Sequence, residues 1–184
     1  MRTIPPWQVL SETVLLARRW LSVRKQQVQL PNGHLIDEYH LLDGPDWAGV
    51  IALTPNQDVI FVRQYRHGIG RTSLELPAGI IEPKESKLDG ARREFMEETG
   101  YFAEDWQPLF STSSEPARNS TWAHFFTARN AHLAGEAKLD PSEMLSVELH
   151  PANQIEQLIR SGEICHGLHI AALLLAERNG FFAR

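Results

Sequence analysis

Three glutamates lie close together in the stretch LELPAGIIEPKESKLDGARREFMEETGY, residues 74–101. Glu94 and Glu98 are four residues apart and Glu97 lies beside them, so a helix would place the three carboxylates on one arc. Like charges at this spacing cost roughly 0.2–0.5 kcal/mol per pair, so we expect a cation among them. Carboxylate oxygens suit Mg²⁺ or Mn²⁺. Arg93, four residues before Glu97, can brace it with a salt bridge.

The flanking residues predict the helix that would carry these carboxylates. Ser86 with Asp89 three residues later is typical of a helix N-cap, so we expect the helix to begin at Lys87. Gly100 suits the left-handed position just past the end of the helix. Three apolar residues at helical spacing would form its buried face: Leu88, Ala91 and Phe95.

The loop before this helix decides between two interpretations. Glutamates on a helix most often form a solvent-exposed face. Here the turn Pro77-Ala78-Gly79 would let the backbone come close to a ligand, and Glu85 stands just before the helix cap. The helix, the glycine turn and the extra carboxylate together indicate a site for a metal and a pyrophosphate.

Composition narrows the class of protein. The chain has 184 residues, enough for one domain of ordinary size with a small appendage, and its formal charge of −5 argues against a nucleic-acid surface. Cys165 is the only cysteine, which excludes an internal disulfide. There is no 18-residue apolar run and no signal-peptide core near the N-terminus, so we expect a soluble cytoplasmic protein with no membrane partner.

Residues 1–43 are predicted to form a separate antiparallel β unit, and residues 44–184 the main domain. The N-terminal segment contains two apolar strands joined by a turn at Asn32-Gly33, which is typical of a hairpin. A unit of two or three strands has little core of its own, so it must pack on the main domain or on a second subunit. Trp20 in this segment is either a core or interface aromatic or a platform for a purine.

The main domain is predicted to alternate strands and helices. The expected strands cover 47–54, 59–68, 106–110, 122–126 and the residues after Glu143, with loops at 111–120 and 132–143 and closing helices at 154–159 and 169–177. Arg63, Arg66 and His67 cluster where the second of these strands ends, and an arginine fork suits phosphate or a nucleotide edge. Cys165, His166 and His169 are interpreted as structural residues rather than a further metal site.

The fixed residues of the central stretch follow the pattern G-x5-E-x7-R-E-U-x-E-E-x-G-U, where U is a bulky apolar residue. This pattern resembles the signature of the Nudix hydrolases. The runs VRQYRHG (62–68) and ELPAG (75–79), and Pro116 fifteen residues after Tyr101, look like the nucleoside-diphosphate-sugar branch of that family, typified by ADP-ribose pyrophosphatases. The resemblance implies an α/β/α sandwich with a mixed sheet. It also implies that the N-terminal β unit serves as a substrate lid and swaps across a homodimer.

The resemblance assigns metal and catalytic roles to matching positions. Glu94 and Glu98 would bind divalent metals, with Glu97 assisting and the Ala78 carbonyl as a backbone ligand. Glu143 occupies the place of a loop glutamate that acts as a base or an extra ligand. Glu85 and Arg93 would hold the loop and the metal network in place.

The resemblance also implies which residues bind the substrate. Arg66 matches an arginine that touches the phosphates or the base, with Arg63 beside it, and Glu115 and Arg118 fall in the substrate-specificity loop. Trp20 aligns with an aromatic residue that stacks on adenine, whereas Glu38 falls where some relatives carry a second aromatic.

The expected reaction is metal-dependent hydrolysis of the pyrophosphate bond of a nucleoside diphosphate sugar. ADP-ribose would give AMP and ribose 5-phosphate through attack of water on a phosphorus atom. One alternative is another substrate, such as GDP-mannose, a dinucleotide polyphosphate or an oxidised nucleotide. The other is a non-catalytic Nudix domain that senses a nucleotide.

Overall fold

The computed structural model describes residues 4–182, and the chain divides into two compact units. The first unit comprises the residues up to Pro45 together with Ser113–Trp122, and the second comprises Asp46–Thr112 and the residues from Ala123 onwards. The loop 113–122 therefore belongs with the N-terminal strands, although it lies far from them in sequence. No helix in the described part of the chain is both long enough and apolar enough to cross a membrane.

The first unit is a three-stranded antiparallel sheet. Its strands are β1 (Gln8–Ala17), β2 (Ser22–Gln29) and β3 (Leu35–Asp43), in the order β1-β2-β3. The predicted hairpin joins β2 to β3, and Gly33 at its turn has a φ of 86°, in the left-handed region that glycine tolerates. The 113–122 loop is tied to β3 because the Leu42 N–H donates to the Arg118 carbonyl at 2.7 Å and the Tyr39 hydroxyl donates to the Ala117 carbonyl.

The described residues of the second unit form seven strands and three α-helices, with short 3₁₀ helices at His67–Ile69 and Ala152–Gln154. The strands are β4 (Trp47–Ala52), β5 (Asp58–Arg66), β6 (Arg71–Glu75), β7 (Ala78–Ile80), β8 (Tyr101–Thr112), β9 (Ala123–Leu133) and β10 (Leu145–Pro151). The helices are α1 (Lys87–Thr99), α2 (Ile155–Arg160) and α3 (Gly167–Arg178). The strands form one sheet in the order β7-β4-β9-β8 and another in the order β10-β5-β6. The β4–β9 pair is parallel and the other pairs are antiparallel, so the predicted mixed sheet is confirmed.

Successive side chains of the central strands point to opposite faces and pack into two separate hydrophobic cores. In β4, Val50 points to the core that contains Ala91 and Phe95 of α1, while Ile51 points to the opposite core. The opposite core contains residues of both other helices: Ile155 of α2, and Ala172, Leu173 and Ala176 of α3. Helices thus cover both faces of the strands, and the expected α/β/α sandwich is confirmed.

Helix α1 begins and ends where the sequence predicts. The Ser86 side chain accepts a hydrogen bond from the Asp89 N–H at 3.1 Å, which caps the N-terminus. Gly100 follows the last helical residue with a φ of 71°, and its N–H donates to the Met96 carbonyl. The chain then passes directly into β8.

The predicted boundaries of β8, β9 and β10 were wrong. β8 begins at Tyr101 rather than at residue 106, and β9 continues to Leu133. Three register shifts in the β8–β9 pairing interrupt the alternation of polar and apolar residues, so the sequence pattern hides much of these strands. Glu143 lies in the loop before β10, two residues ahead of its first residue Leu145, instead of opening that strand.

Gly100→Ala should destabilise the protein. A Cβ atom at this position would overlap the Gly135 carbonyl oxygen, and the positive φ disfavours any L side chain. We expect the free energy of unfolding, measured by urea denaturation, to fall by more than about 2 kcal/mol. Gly135→Ala is the matched control because a Cβ there meets nothing within 4 Å; its change should stay within about 0.5 kcal/mol. Equal stability of both variants would contradict the steric argument.

Candidate active site

The start of β7 lies directly against two carboxylates of α1. Glu98 is buried, with 4% of its surface exposed, and its Oε2 accepts a hydrogen bond from the Ala78 N–H at 2.9 Å. A Cβ atom on Gly79 would overlap the Glu94 carboxylate, so only glycine allows the strand to pass this close. The turn that the sequence places before the helix therefore forms the wall of a carboxylate site.

Arg93 connects the remaining glutamates of this site. Its guanidinium donates to both oxygens of Glu85 at 3.0 and 2.9 Å, to Glu94 at 2.8 Å and to Glu97 at 3.0 Å. It also donates to the Ile80 carbonyl at 2.8 Å. Arg93 thereby links helix α1, the preceding loop and strand β7.

Burial sets the protonation behaviour of the carboxylates. Burial raises the pKa of Glu98 to about 8, and the negative charges of Glu94 and Glu143 act in the same direction. Burial likewise raises the pKa of Glu94, again with Glu143 contributing. In contrast, hydrogen bonds from Arg93 lower the pKa of Glu85. The charge of Glu143 therefore acts on both Glu94 and Glu98.

The Glu143 side chain is positioned by its own loop. Its Oε2 accepts a hydrogen bond from the Asp140 N–H at 2.9 Å, and its N–H donates to the Asp140 carbonyl at 2.8 Å. The loop therefore holds the Glu143 carboxylate in place although neither a helix nor a strand carries it.

The donor set fits a hard divalent cation. Glu94, Glu97 and Glu98 offer oxygen ligands, and Glu98 is a buried carboxyl group whose pKa is raised chiefly by burial. Within residues 4–182, however, no three acidic, histidine or cysteine side chains converge as a ready-made cage. Arg93 holds Glu94 and Glu97 in this conformation, so a cation would have to draw them away from it. Mg²⁺ commonly takes only one or two carboxylates and fills its other positions with water and phosphate oxygens.

A cavity of about 610 Å³ adjoins the carboxylates. Ala78 and Gly79 line it on one side, and Arg66 lies at the same cavity. The Arg66 side chain is 44% exposed and is anchored by Glu75, which is 2% exposed, at an N–O distance of 2.5 Å. Glu75 thus fixes a cationic group in position while leaving part of it accessible to an anion.

The structure places Arg63 away from this cavity. Its guanidinium pairs with Glu148 at 2.5 Å and with Glu163 at 2.6 Å, and it is not among the residues that line the cavity. Two carboxylates already neutralise Arg63, so these contacts do not support its assignment to substrate binding.

The remaining predicted substrate residues belong to the first unit. Trp20 is exposed, and the Arg19 guanidinium lies 4.3 Å from the centre of its ring. The Glu115 carbonyl accepts hydrogen bonds in the turn that includes Arg118. Their roles toward a substrate stay predictions.

Sequence reasoning gave no functional role to several residues that line the cavity, among them Trp47 and Glu75, and it interpreted His166 and His169 as structural. Glu75 stands at the start of the ELPAG run, so its position was available as a signal. The two histidines lie about 70 residues after α1 and only the fold brings them to the cavity, as helix and strand packing join distant segments.

Comparison with known domain families gives two matches. The family described as NUDIX domain matches residues 45–167, and the family described as nucleoside diphosphate sugar hydrolase N-terminal domain matches residues 7–42. The two matched segments account for most of the chain.

Several characterised proteins are similar along most of their length. The chain is 29% identical to the ADP-ribose pyrophosphatase of Bacillus subtilis, covering 89% of this chain and 85% of that protein. It is 25% identical to the ADP-ribose pyrophosphatase of Mycobacterium tuberculosis, covering 91% of this chain and 82% of that protein. It is 27% identical to the GDP-mannose pyrophosphatase of Yersinia enterocolitica, covering 90% of this chain and 93% of that protein. A crystal structure of an ADP compounds hydrolase superposes with a TM-score of 0.85 at 21% identity, covering 97% of this chain and 96% of that one, and shows the same fold.

Glu98→Gln should remove a pH dependence from the stability of the metal-free protein. The folded-state pKa of Glu98 lies above its ordinary value of 4.5, at about 8, so its stabilising contribution is complete below pH 4.5 and is lost as the pH rises through 8. Between pH 5 and 8 the wild type should lose about 3 kcal/mol through this group, and the variant should not. Urea unfolding in EDTA at both pH values measures the difference.

Glu104→Gln, on an exposed part of β8, is the control for this comparison and should follow the wild type. If Glu98→Gln retains the full pH dependence of the wild type, the buried carboxyl is not the titrating group.

Proposed function

Because the chain belongs to the Nudix family, we propose that it hydrolyses the pyrophosphate bond of a nucleoside diphosphate sugar, converting ADP-ribose to AMP and ribose 5-phosphate. The observation that carries this proposal is the placement of the half-buried Glu94 and the buried Glu98 against Ala78 and Gly79, beside the cavity that Arg66 also lines. A pyrophosphate needs both a cation and a fixed positive group, and the carboxylates that would hold the cation adjoin the cavity that Arg66 lines.

The glutamates of α1 would hold the divalent cation, Mg²⁺ or Mn²⁺. Glu94 and Glu98 are the principal ligands in this proposal, Glu97 assists, and the Ala78 carbonyl adds a neutral oxygen. A bound cation of this kind lowers the pKa of water and offsets the charge that develops on the phosphate oxygens. Arg93 would then keep Glu85 and the loop before the helix in place, since its bidentate contact to Glu85 does not involve the ligands.

Arg66 would bind the phosphate oxygens of the substrate. The hydrogen bonds from its Nε and Nη2 to Glu75 leave Nη1 without a partner among the described residues. A guanidinium that is already oriented loses little conformational entropy on binding, so little of the free energy of its interaction with phosphate is offset.

Glu143 is proposed to accept a proton from the attacking water, or to add a ligand to the cation. Its Oε2 accepts the hydrogen bond from the Asp140 N–H, and within residues 4–182 no hydrogen bond occupies Oε1. The loop is therefore able to present Oε1 as the base while Oε2 holds the side chain in position.

Adenine recognition is proposed for the N-terminal unit. Trp20 offers an exposed indole, and Glu115 and Arg118 offer polar groups on the 113–122 loop. Two similar proteins are named ADP-ribose pyrophosphatases, which favours adenine. Another similar protein is named a GDP-mannose pyrophosphatase, so GDP-mannose is the second candidate substrate.

We further propose that the protein acts as a homodimer. Strand β1 lies at the edge of its sheet, and four of its apolar side chains, Val9, Leu10, Val14 and Leu15, are between 44% and 56% exposed. A long apolar edge strand attracts another chain unless it is covered. A second copy of the N-terminal unit would cover it.

Incubation with ADP-ribose and Mg²⁺ should yield AMP and ribose 5-phosphate, resolved by anion-exchange chromatography. EDTA should abolish the products, and Glu98→Gln should lower kcat on the order of 10³-fold because a cation ligand is lost. Glu104→Gln, outside the site, should retain wild-type turnover. Faster cleavage of GDP-mannose in a parallel reaction would favour the second candidate, and no cleavage of either would refute the proposed reaction.

Leu15→Lys should weaken the dimer. A lysine on β1 would place a charge within the proposed apolar contact, so the mass from light scattering after gel filtration should shift from twice 20.9 kDa toward 20.9 kDa. Leu149→Lys on β10 is the control, since Leu149 is similarly exposed and belongs to the other unit. A monomeric wild type, or equal effects of both substitutions, would argue against β1 as the interface.

A further inference from the structure

Three rings form one wall of the cavity beside the carboxylates. His166 and His169 stack with their ring centres 4.0 Å apart and their planes 18° apart. Trp47 meets both rings with its edge, at 5.7 Å from His166 and 5.8 Å from His169. Neither histidine has a part in the proposed chemistry, although both line the cavity.

The hydrogen bonds of His169 determine which of its nitrogens carries the proton. The residue is 1% exposed, and its Nδ1 accepts from the Leu76 N–H at 3.2 Å. A neutral ring that accepts at Nδ1 carries its proton on Nε2. Among residues 4–182, no group accepts a hydrogen bond from that Nε2–H.

His166 has even fewer partners. Its Nδ1 is buried without a hydrogen bond, and within the described residues its Nε2 has no partner either. Nε2 is not buried, so this edge of the half-buried ring is accessible from the cavity. Polar groups in protein interiors are normally paired, so an accessible Nε2 without a partner at a cavity wall is available to a ligand.

The rings are suited to hydroxyl groups rather than to another phosphate. Burial lowers the pKa of His166 and holds that of His169 well below its usual range, so both rings are neutral at neutral pH. The nearby charges are those of Arg66 and Glu75, which pair with each other. A neutral imidazole can both donate and accept, as a hydroxyl does, while a phosphate dianion offers only acceptors.

We propose that His166 and His169, backed by Trp47, form the subsite for the sugar of the substrate and bind its hydroxyls through their Nε2 atoms. This inference rests on the proposed function and specifies its substrate class. Ala78 and Gly79, which touch the carboxylates, line the same cavity as the two histidines. A sugar attached to a phosphate at the carboxylates can therefore reach the ring wall without leaving the cavity.

His166→Phe provides the test, because phenylalanine keeps the stacking against His169 and Trp47 but removes both nitrogens. Two substrates with the same ADP half are compared: ADP-ribose, and the β-methyl ester of ADP, which has no sugar at this position. In His166→Phe, the kcat/KM for ADP-ribose divided by the kcat/KM for the methyl ester should be about 10-fold lower, or more, than in the wild type. The reason is that only ADP-ribose loses a hydroxyl contact. His166→Asn, which retains a polar group, should recover part of the ratio.

His132→Phe is the matched control, as His132 is exposed on β9 and does not line the cavity. It should leave the ratio unchanged. A ratio for His166→Phe within about twofold of wild type, or an equal loss on both substrates, would overturn the subsite and assign His166 a purely structural role.

A binding measurement separates this proposal from the proposed reaction. Protein labelled with ¹⁵N at histidine is titrated with ribose 5-phosphate or with inorganic phosphate, each with Mg²⁺, and the ring nitrogens are observed by NMR. Ribose 5-phosphate should shift the Nε2 signals of His166 and His169, and phosphate alone should not. Equal shifts with both, or none with ribose 5-phosphate, would overturn the subsite even if ADP-ribose is cleaved. If ribose 5-phosphate shifts the histidine signals selectively but ADP-ribose is not cleaved, the proposed reaction is rejected and the sugar subsite is retained.

Discussion

The contact of the β7 backbone with the buried Glu98 and the half-buried Glu94 is the constraint on which the site depends. Glu98 is almost fully enclosed, and one backbone N–H from Ala78 is its only hydrogen-bond donor within the described residues. Glu94 is packed against Gly79, where no side chain could fit. Burial raises the pKa of both carboxyl groups, and neighbouring negative charges add to the rise: those of Glu94 and Glu143 at Glu98, and those of Glu97 and Glu143 at Glu94. The fold therefore maintains an arrangement that binding of a cation would relieve.

Arginines stabilise this arrangement by pairing with carboxylates. Glu85 and Glu75 lie outside the ligand pair, whereas Glu94 belongs to it. Arg93 binds Glu85 through two hydrogen bonds and so joins the loop before α1 to the helix. Arg66 binds the buried Glu75 in a similar manner and stays half exposed at the cavity. In both cases a carboxylate orients a guanidinium, which is the rigid, bidentate geometry that arginine favours. The cavity thus combines anionic and cationic groups whose positions are set before a substrate arrives.

Two arginines of one strand show how partners determine the use of a side chain. Arg63 and Arg66 both lie on β5, three residues apart. Arg63 meets Glu148 of β10 and Glu163, which neutralise it away from the cavity, whereas Arg66 meets Glu75 of β6 at the cavity. Their spacing in the sequence gives no reason to distinguish them, because the partners come from other strands and loops. The same is true of His166 and His169, whose wall exists only because α3 packs behind β4 and β6.

The sequence by itself determined the local features of this protein: the start of α1 at its Ser86 cap, its end at Gly100, the N-terminal hairpin and the family. These follow from short-range rules of capping, turn geometry and spacing, which act among neighbouring residues. The register shifts of β8, the neutralisation of Arg63 and the histidine wall were decided by the tertiary structure alone. Each depends on which distant segment packs alongside, and such pairings are set by the burial of the whole core rather than by any local pattern.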